Sequence, residues 1–374
     1  MSVAVARPAA ERPTGGERPP AVGVGADTEI DTDTDGGSDH DGVEALLHGG
    51  GERLRERMAR VELHLEQVTA AAGAPLAVHS SATIMAGGKR LRPLLVVLAA
   101  EAAGLDPDGA AAEEHLTRAA VAVELVHSAT LVHDDVIDVA PLRRGRPTVA
   151  ATAGRQIAIA TGDLLFSRAF AELARNEDPA QLRALSVASS ALAEGELLQR
   201  EDAYAPRVAP ERYIRRCELK TAALFEAACR LGALAVAGAA GFGSPDLEEV
   251  LGLFARRIGL AFQILDDVLD VSGPVERTGK ARGTDLLDGT VTLPLILARE
   301  RDAELAGVDL RGLRGAREAE ELCERIAATG ALAAARERAL SVVAEAKAAL
   351  PVSLPGDRAA PLEGVADAVV ERYS

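Results

Sequence analysis

The chain has 374 residues, 48% of them apolar and only 2% aromatic, with 57 acidic against 41 basic side chains. A net charge of −16 argues against nucleic acid as a partner, and the Ala-, Leu- and Glu-rich makeup favours helix over strand. Cys217, Cys229 and Cys323 show no C-x-x-C spacing, which excludes a disulfide framework or zinc site and reads as reduced, buried thiols of a cytoplasmic protein.

Residues 1–42 are rich in Pro, Gly, Thr and Asp and carry few bulky apolar side chains. Such a segment cannot bury enough apolar surface to offset the entropy of ordering, so it reads as a disordered acidic tail. No basic-then-apolar leader opens the chain. The longest uncharged stretch, 231–245, is too short and too Gly-rich to span a bilayer. Helical spacing of apolar residues begins near Val43 and persists almost to the end, with breaks at 73–75, 104–109, 141–147, 206–210, 241–245 and 273–283. There is no βαβ alternation and no fixed-period repeat, so residues 43–374 read as one all-α domain.

The first segment with chemical character is Gly87-Gly88-Lys89-Arg90-Leu91-Arg92-Pro93, ahead of an apolar run. Pro93 suits a first helical turn, and the glycines admit close approach of the backbone to a ligand. Lys89 and Arg92 then stand near a helix N-terminus, where free N–H groups favour an anion such as diphosphate. The plainer alternative is a solvent-facing basic turn.

Two apolar helical stretches each close on Asp-Asp-x-x-Asp. The first, 121–138, ends in Asp134, Asp135 and Asp138 before Pro141; the second, 247–270, ends in Asp266, Asp267 and Asp270 before Gly273-Pro274. The first and last carboxylates of each cluster share a helix face, one turn apart. They offer oxygen ligands to a hard cation such as Mg2+ while leaving positions for water and phosphate. A helix C-terminus opposes three negative charges, so bound cations are the simplest compensation. A solvated acidic patch explains one such cluster more readily than two.

Basic residues accompany both clusters. Arg143 and Arg144 follow the first and can grip phosphate oxygens or, in an empty site, pair with the neighbouring aspartates. Lys220 and Thr221 fall in a predicted helix beginning near Pro210, Gln263 stands one turn before Asp267, and Lys280 follows the second cluster in a Gly-rich loop. Each of these three signals is weak alone.

The stretches GGKRLRP, ELVHSATLVHDDVID, LRRGRPT, GDLLF, LKTA, FQILDDVLD and DGTVTLP occur in this order between Gly87 and Pro294. Together they resemble the trans-isoprenyl diphosphate synthase (polyprenyl synthetase) family, medium- and long-chain type. The resemblance implies an all-α bundle around a deep central cavity, usually in a homodimer. It implies that Lys89, Arg92 and His127 hold isopentenyl diphosphate with help from Arg144. Asp134 and Asp138, opposite Asp266 and Asp270, would hold Mg2+ bridging an allylic diphosphate. Arg143, Lys220, Thr221, Gln263 and Lys280 look like the residues around that diphosphate. One departure is Thr290, where the family commonly has Lys, and no phosphate contact is expected there.

The implied reaction is ionisation of the allylic diphosphate, attack by the isopentenyl double bond, and proton loss to the released diphosphate. Counting back from Asp134, Ala129 and Thr130 lie about one turn below and Val126 deeper. None is aromatic, so no plug is expected there, and the expected product exceeds C20. Other readings are a short-chain (farnesyl or geranylgeranyl) synthase, a class I terpene cyclase, and a non-catalytic subunit of a two-component enzyme. The cyclase reading leaves Lys89–Arg92 and a second Asp-Asp-x-x-Asp unexplained. Glu124-x-x-His127 occurs once, where a di-iron bundle needs it twice, so Glu124 reads as a packing or salt-bridge residue. Peripheral membrane contact during product release is compatible with the absence of a predicted span.

Overall fold

The computed structural model describes residues 45–371 apart from 48, 72, 74–75, 106–108, 241–244, 274–281, 351–353 and 355. The expected acidic tail and Lys280 lie outside the described residues. Helices α1 (Gly51–Ala70), α2 (Leu76–Met85), α3 (Leu91–Ala102) and α4 (Ala110–Ile137) come first. A two-residue antiparallel hairpin, β1 (Leu142–Arg143) with β2 (Arg146–Pro147), follows. Next are α5 (Val149–Ala153), α6 (Arg155–Ala174), α7 (Pro179–Asp202) and α8 (Pro210–Cys217). A π-helical turn (Glu218–Ala222) joins α8 to α9 (Ala223–Ala240), and α10 (Pro245–Ser272) runs on to the second aspartate cluster. The remainder is α11 (Thr284–Leu287), α12 (Leu293–Arg301), α13 (Ala303–Ala306), α14 (Ala316–Ala328), α15 (Ala331–Ala348) and α16 (Gly356–Glu371). The all-α expectation holds, the hairpin being the only sheet among the described residues.

Helix α9 is the centre of the bundle, packing on α3, α4, α7 and α10. Its sequence, ALFEAACRLGALAVAGAA, is apolar and small enough to be surrounded. Helix α4 behaves similarly: every residue from Ala119 to Val126 is buried, the mark of a helix enclosed on all sides. Within that run Glu124 is the charged exception. Arg90, in the left-handed region at φ 48°, caps the start of α3 and donates to Glu124 at 2.9 Å and Glu62 at 2.6 Å. Removing one partner of such a buried pair costs about 3–5 kcal/mol, so Glu124 is a structural tie between α3, α4 and α1.

The three cysteines are free and buried. No helix among the described residues is long and apolar enough to cross a membrane.

Candidate active site

The first aspartate cluster occupies the last turn of α4. Asp138 caps the helix, its N–H donating to the Asp134 carbonyl at 2.8 Å, and the Ala140 N–H returns to the Asp135 carbonyl at 3.0 Å. This is a Schellman closure, whose left-handed position ordinarily holds Gly. Here the exposed, β-branched Val139 takes it at φ 53°, a strained conformation stored beside the carboxylates. Buried Asp135 accepts a 2.6 Å hydrogen bond from Arg143 Nε, and Asp138 accepts one from Arg200 Nη2. Burial pushes the Asp134 carboxyl up to about 6, with Glu196 and Asp138 adding negative charge and Lys220 opposing them.

The second cluster ends α10. Asp267 is buried and accepts from Tyr213 Oη at 2.7 Å and Gln263 Nε2 at 2.8 Å. The Asp270 carboxylate receives the Asp285 N–H at 3.3 Å. Burial foremost, and then the charge of Asp285, drives both carboxyls well above the usual range. Asp266 belongs to the same helical turn.

The π turn joins the two clusters. Lys220 Nζ donates to Glu196, whose charge borders Asp134, while Thr221 Oγ1 donates to Gln263 Oε1 at 2.6 Å. Two adjacent residues thereby serve opposite clusters, one through Glu196 of α7 and the other through Gln263 of α10. Single π turns inside α-helices frequently mark functional sites. Gly195 lets α7 approach this turn: a Cβ there would lie 2.4 Å from the Lys220 backbone nitrogen.

Four residues absent from the sequence-level expectation therefore belong to the site: Glu196, Arg200, Tyr213 and Asp285. Tyr213 stands two helical turns before Lys220, which is the only sequence signal it offers. Tyr213→Phe keeps the ring but leaves one oxygen of buried Asp267 without its donor, an expected loss of about 1–3 kcal/mol. Thermal melting checks this, and an unchanged midpoint would contradict the assigned hydrogen bond.

The basic residues gather beside the start of α3. The Arg92 guanidinium lies over the Phe225 ring, 4.9 Å from its centroid, and its buried Nε has no hydrogen-bond partner. Burial, opposed by Glu124 and reinforced by Arg144, pushes Arg92 down to about 10. Arg144 takes a left-handed conformation at φ 53° in the hairpin turn, where Asn is usual before Gly145. Its guanidinium fills the space over Gly88, 2.8 Å from where a Cβ would stand. Burial first, and then Arg92, Arg144 and Arg143, hold His127 neutral. A group of cations around a neutral imidazole, one with an unpaired buried donor, is suited to an anion. Lys89 precedes Arg92 in the same approach to α3.

Below Asp134 on α4, Ala129 and Val126 are fully buried. Thr130 is partly exposed and donates to the His127 carbonyl at 2.7 Å. A cavity of about 480 Å³ between α1 and the start of α4, lined by Arg53, Arg60, His64, Glu113 and Arg118 among others, contains none of these residues.

Among the described residues no group of three or more His, Cys, Asp or Glu stands close enough to form a metal cage. The donors nevertheless fit Mg2+, which binds through one or two carboxylates and completes its octahedron with water and substrate phosphate. Asp134 with Asp138, and Asp266 with Asp270, supply hard oxygen donors of that kind.

Fold and site together are those of an all-α bundle carrying two aspartate clusters and a group of cations. The model of the polyprenyl synthetase family matches residues 75–327. Heptaprenyl diphosphate synthase component 2 of Geobacillus stearothermophilus is 41% identical over 246 residues, 66% of this chain and 73% of that one. Geranylgeranyl diphosphate synthase of Methanosarcina mazei is 37% identical over 292 residues, 77% of this chain and 86% of its own. A crystal structure of polyprenyl synthase from Caulobacter crescentus, complexed with calcium and isoprenyl diphosphate, superposes with a TM-score of 0.79 at 35% identity, covering 89% of this chain and 98% of that one. The chain belongs to the polyprenyl synthetase family, and its activity is that of a trans-prenyl diphosphate synthase. These relatives make products of different length, so overall similarity does not set the length here.

Proposed function

We propose that the chain condenses isopentenyl diphosphate with an allylic diphosphate in a Mg2+-dependent reaction and extends the product beyond C20. The observation that carries this reading is the π turn, which sets Lys220 toward one aspartate cluster and Thr221 toward the other. Arg92, His127 and Arg144, with Lys89, hold isopentenyl diphosphate. Asp134 and Asp138, with Asp266 and Asp270, would hold the cations, and Asp135 and Asp267 orient the surrounding side chains. When bound, Mg2+ supplies positive charge to the departing diphosphate. Arg143 and Lys220 stabilise the same developing anion, as does Lys280 by its resemblance.

The allylic C–O bond breaks with its electron pair going to diphosphate. The isopentenyl double bond then forms the new C–C bond, and the proton lost goes to the released diphosphate. Gln263, held by Thr221 and Asp267, stabilises the allylic cation in this reading. We read the enzyme as a cytoplasmic homodimer with peripheral membrane contact at product release. The test is incubation with labelled isopentenyl diphosphate, allylic primers and Mg2+, with products separated by length. Turnover is expected with Mg2+ and not with excess chelator. Products no longer than C20 would favour the short-chain reading. Activity appearing only with an added partner would favour a two-component enzyme, as the relative named component 2 suggests.

The wall below Asp134 sets the length in this reading. Ala129→Phe is expected to shift the distribution to shorter products, because an aromatic ring fills the path beneath the first cluster. An unchanged distribution would remove Ala129 from the wall.

A further inference from the structure

We propose that Arg200 is a positioning residue that couples metal binding at the first aspartate cluster to diphosphate binding. This rests on the function proposed above. Arg200 lies on α7, which contributes no aspartate to either cluster. Its Nη2 donates to Asp138 Oδ1 and its Nε to Glu196 Oε1 at 2.7 Å. Glu196 offers its other oxygen to Lys220, so one carboxylate tethers two cations. Glu196 and Arg200 are four residues apart with the acid first, the favourable order on a helix.

The consequence follows from charge. Asp138 is one turn from Asp134, and a cation shared by the two needs the carboxylate that Arg200 now neutralises. A guanidinium and a divalent ion repel each other at one carboxylate. Metal alone must therefore displace Arg200 and leave its Nη donors without an anion. The side chains of Arg200 and Asp138 are 40% and 35% exposed, so packing does not lock the pair. Diphosphate changes the balance, because it offers the displaced guanidinium a bidentate partner. Metal and diphosphate each favour the same rearranged state, so each strengthens the other's binding by one reciprocal factor. Glu196 remains paired with Lys220 throughout and keeps Arg200 within reach.

The test uses the full chain with Mn2+ as the metal probe and inorganic diphosphate as the anion. Mn2+ affinity is measured by calorimetry or paramagnetic resonance, with and without diphosphate, for the wild type and Arg200→Leu. In the variant Mn2+ alone is expected to bind roughly threefold more tightly, the weight of a half-exposed ion pair. The enhancement of Mn2+ binding by diphosphate is expected to shrink by a similar factor. Arg200→Lys, which keeps the charge, is expected to retain part of the coupling, and Arg200→Gln replaces Arg200→Leu if the latter does not fold. Unchanged or weaker Mn2+ binding in a folded variant, with the diphosphate enhancement intact, would overturn the proposal and leave Arg200 a surface ion pair. These titrations involve no prenyl substrate, so wild-type protein that fails to turn over would sink the proposed function without deciding this coupling.

Discussion

Lys220→Ala is expected to lower turnover by roughly 10²- to 10³-fold, the usual loss when one preorganised cation or donor is removed from a developing anion. Its melting temperature should hardly move. The ammonium is partly exposed and its partner Glu196 keeps a second cation, Arg200. The neighbouring Thr221→Val is the informative contrast. It removes one hydrogen bond to Gln263, which still donates to Asp267, so a loss of about tenfold or less is expected. Steady-state assays with labelled isopentenyl diphosphate, alongside thermal melting, measure both. Equal losses in the two variants would mean that the π turn does not divide its residues between the clusters.

Arg92→Met should raise stability while weakening the enzyme. The half-buried guanidinium lies beside Phe225 with a buried Nε that has no hydrogen-bond partner and another cation, Arg144, nearby. An uncompensated buried donor costs about 1–3 kcal/mol, and Met fills the same volume without it. The Glu124 partner that matters structurally is Arg90, which the substitution leaves in place. Cations gathered for an anion at a cost to the fold are the usual trade between stability and function. The expected result is a higher melting temperature together with a KM for isopentenyl diphosphate raised by two orders of magnitude or more, about 3 kcal/mol of lost charge-assisted hydrogen bonding. A lower melting temperature would show that Arg92 supports the fold.

Much of this site is legible in the sequence because its signals are local. Asp134 with Asp138 and Asp266 with Asp270 are fixed by helical spacing, and Pro141 and Gly273 mark where the helices stop. Arg143 pairs with Asp135, only eight residues away, the alternative the sequence already offered for an empty site. Glu124 proves a salt-bridge residue, as expected from the missing second Glu-x-x-His. The contacts the sequence hides are long-range. Arg200 reaches Asp138 across 62 positions and Tyr213 reaches Asp267 across 54, and no periodicity links such pairs. The helix expected from Pro210 is present, but its π turn is invisible to a 3.6-residue pattern.

That turn also fixes how the central helix tolerates change. A π turn amounts to one residue more than the α-helix needs, so Tyr213 before it and Phe225 after it are read in different frames. Deleting one residue of 218–222 would let the α-helix close with its two flanks in their present relative rotation, because the π turn absorbs its extra residue. Tyr213 would keep Asp267 and Phe225 its place beneath Arg92, and the change would fall on the turn, where Lys220 reaches Glu196 and Thr221 reaches Gln263. The surplus residue therefore serves the two polar contacts of the turn and not the packing of the helices on either side.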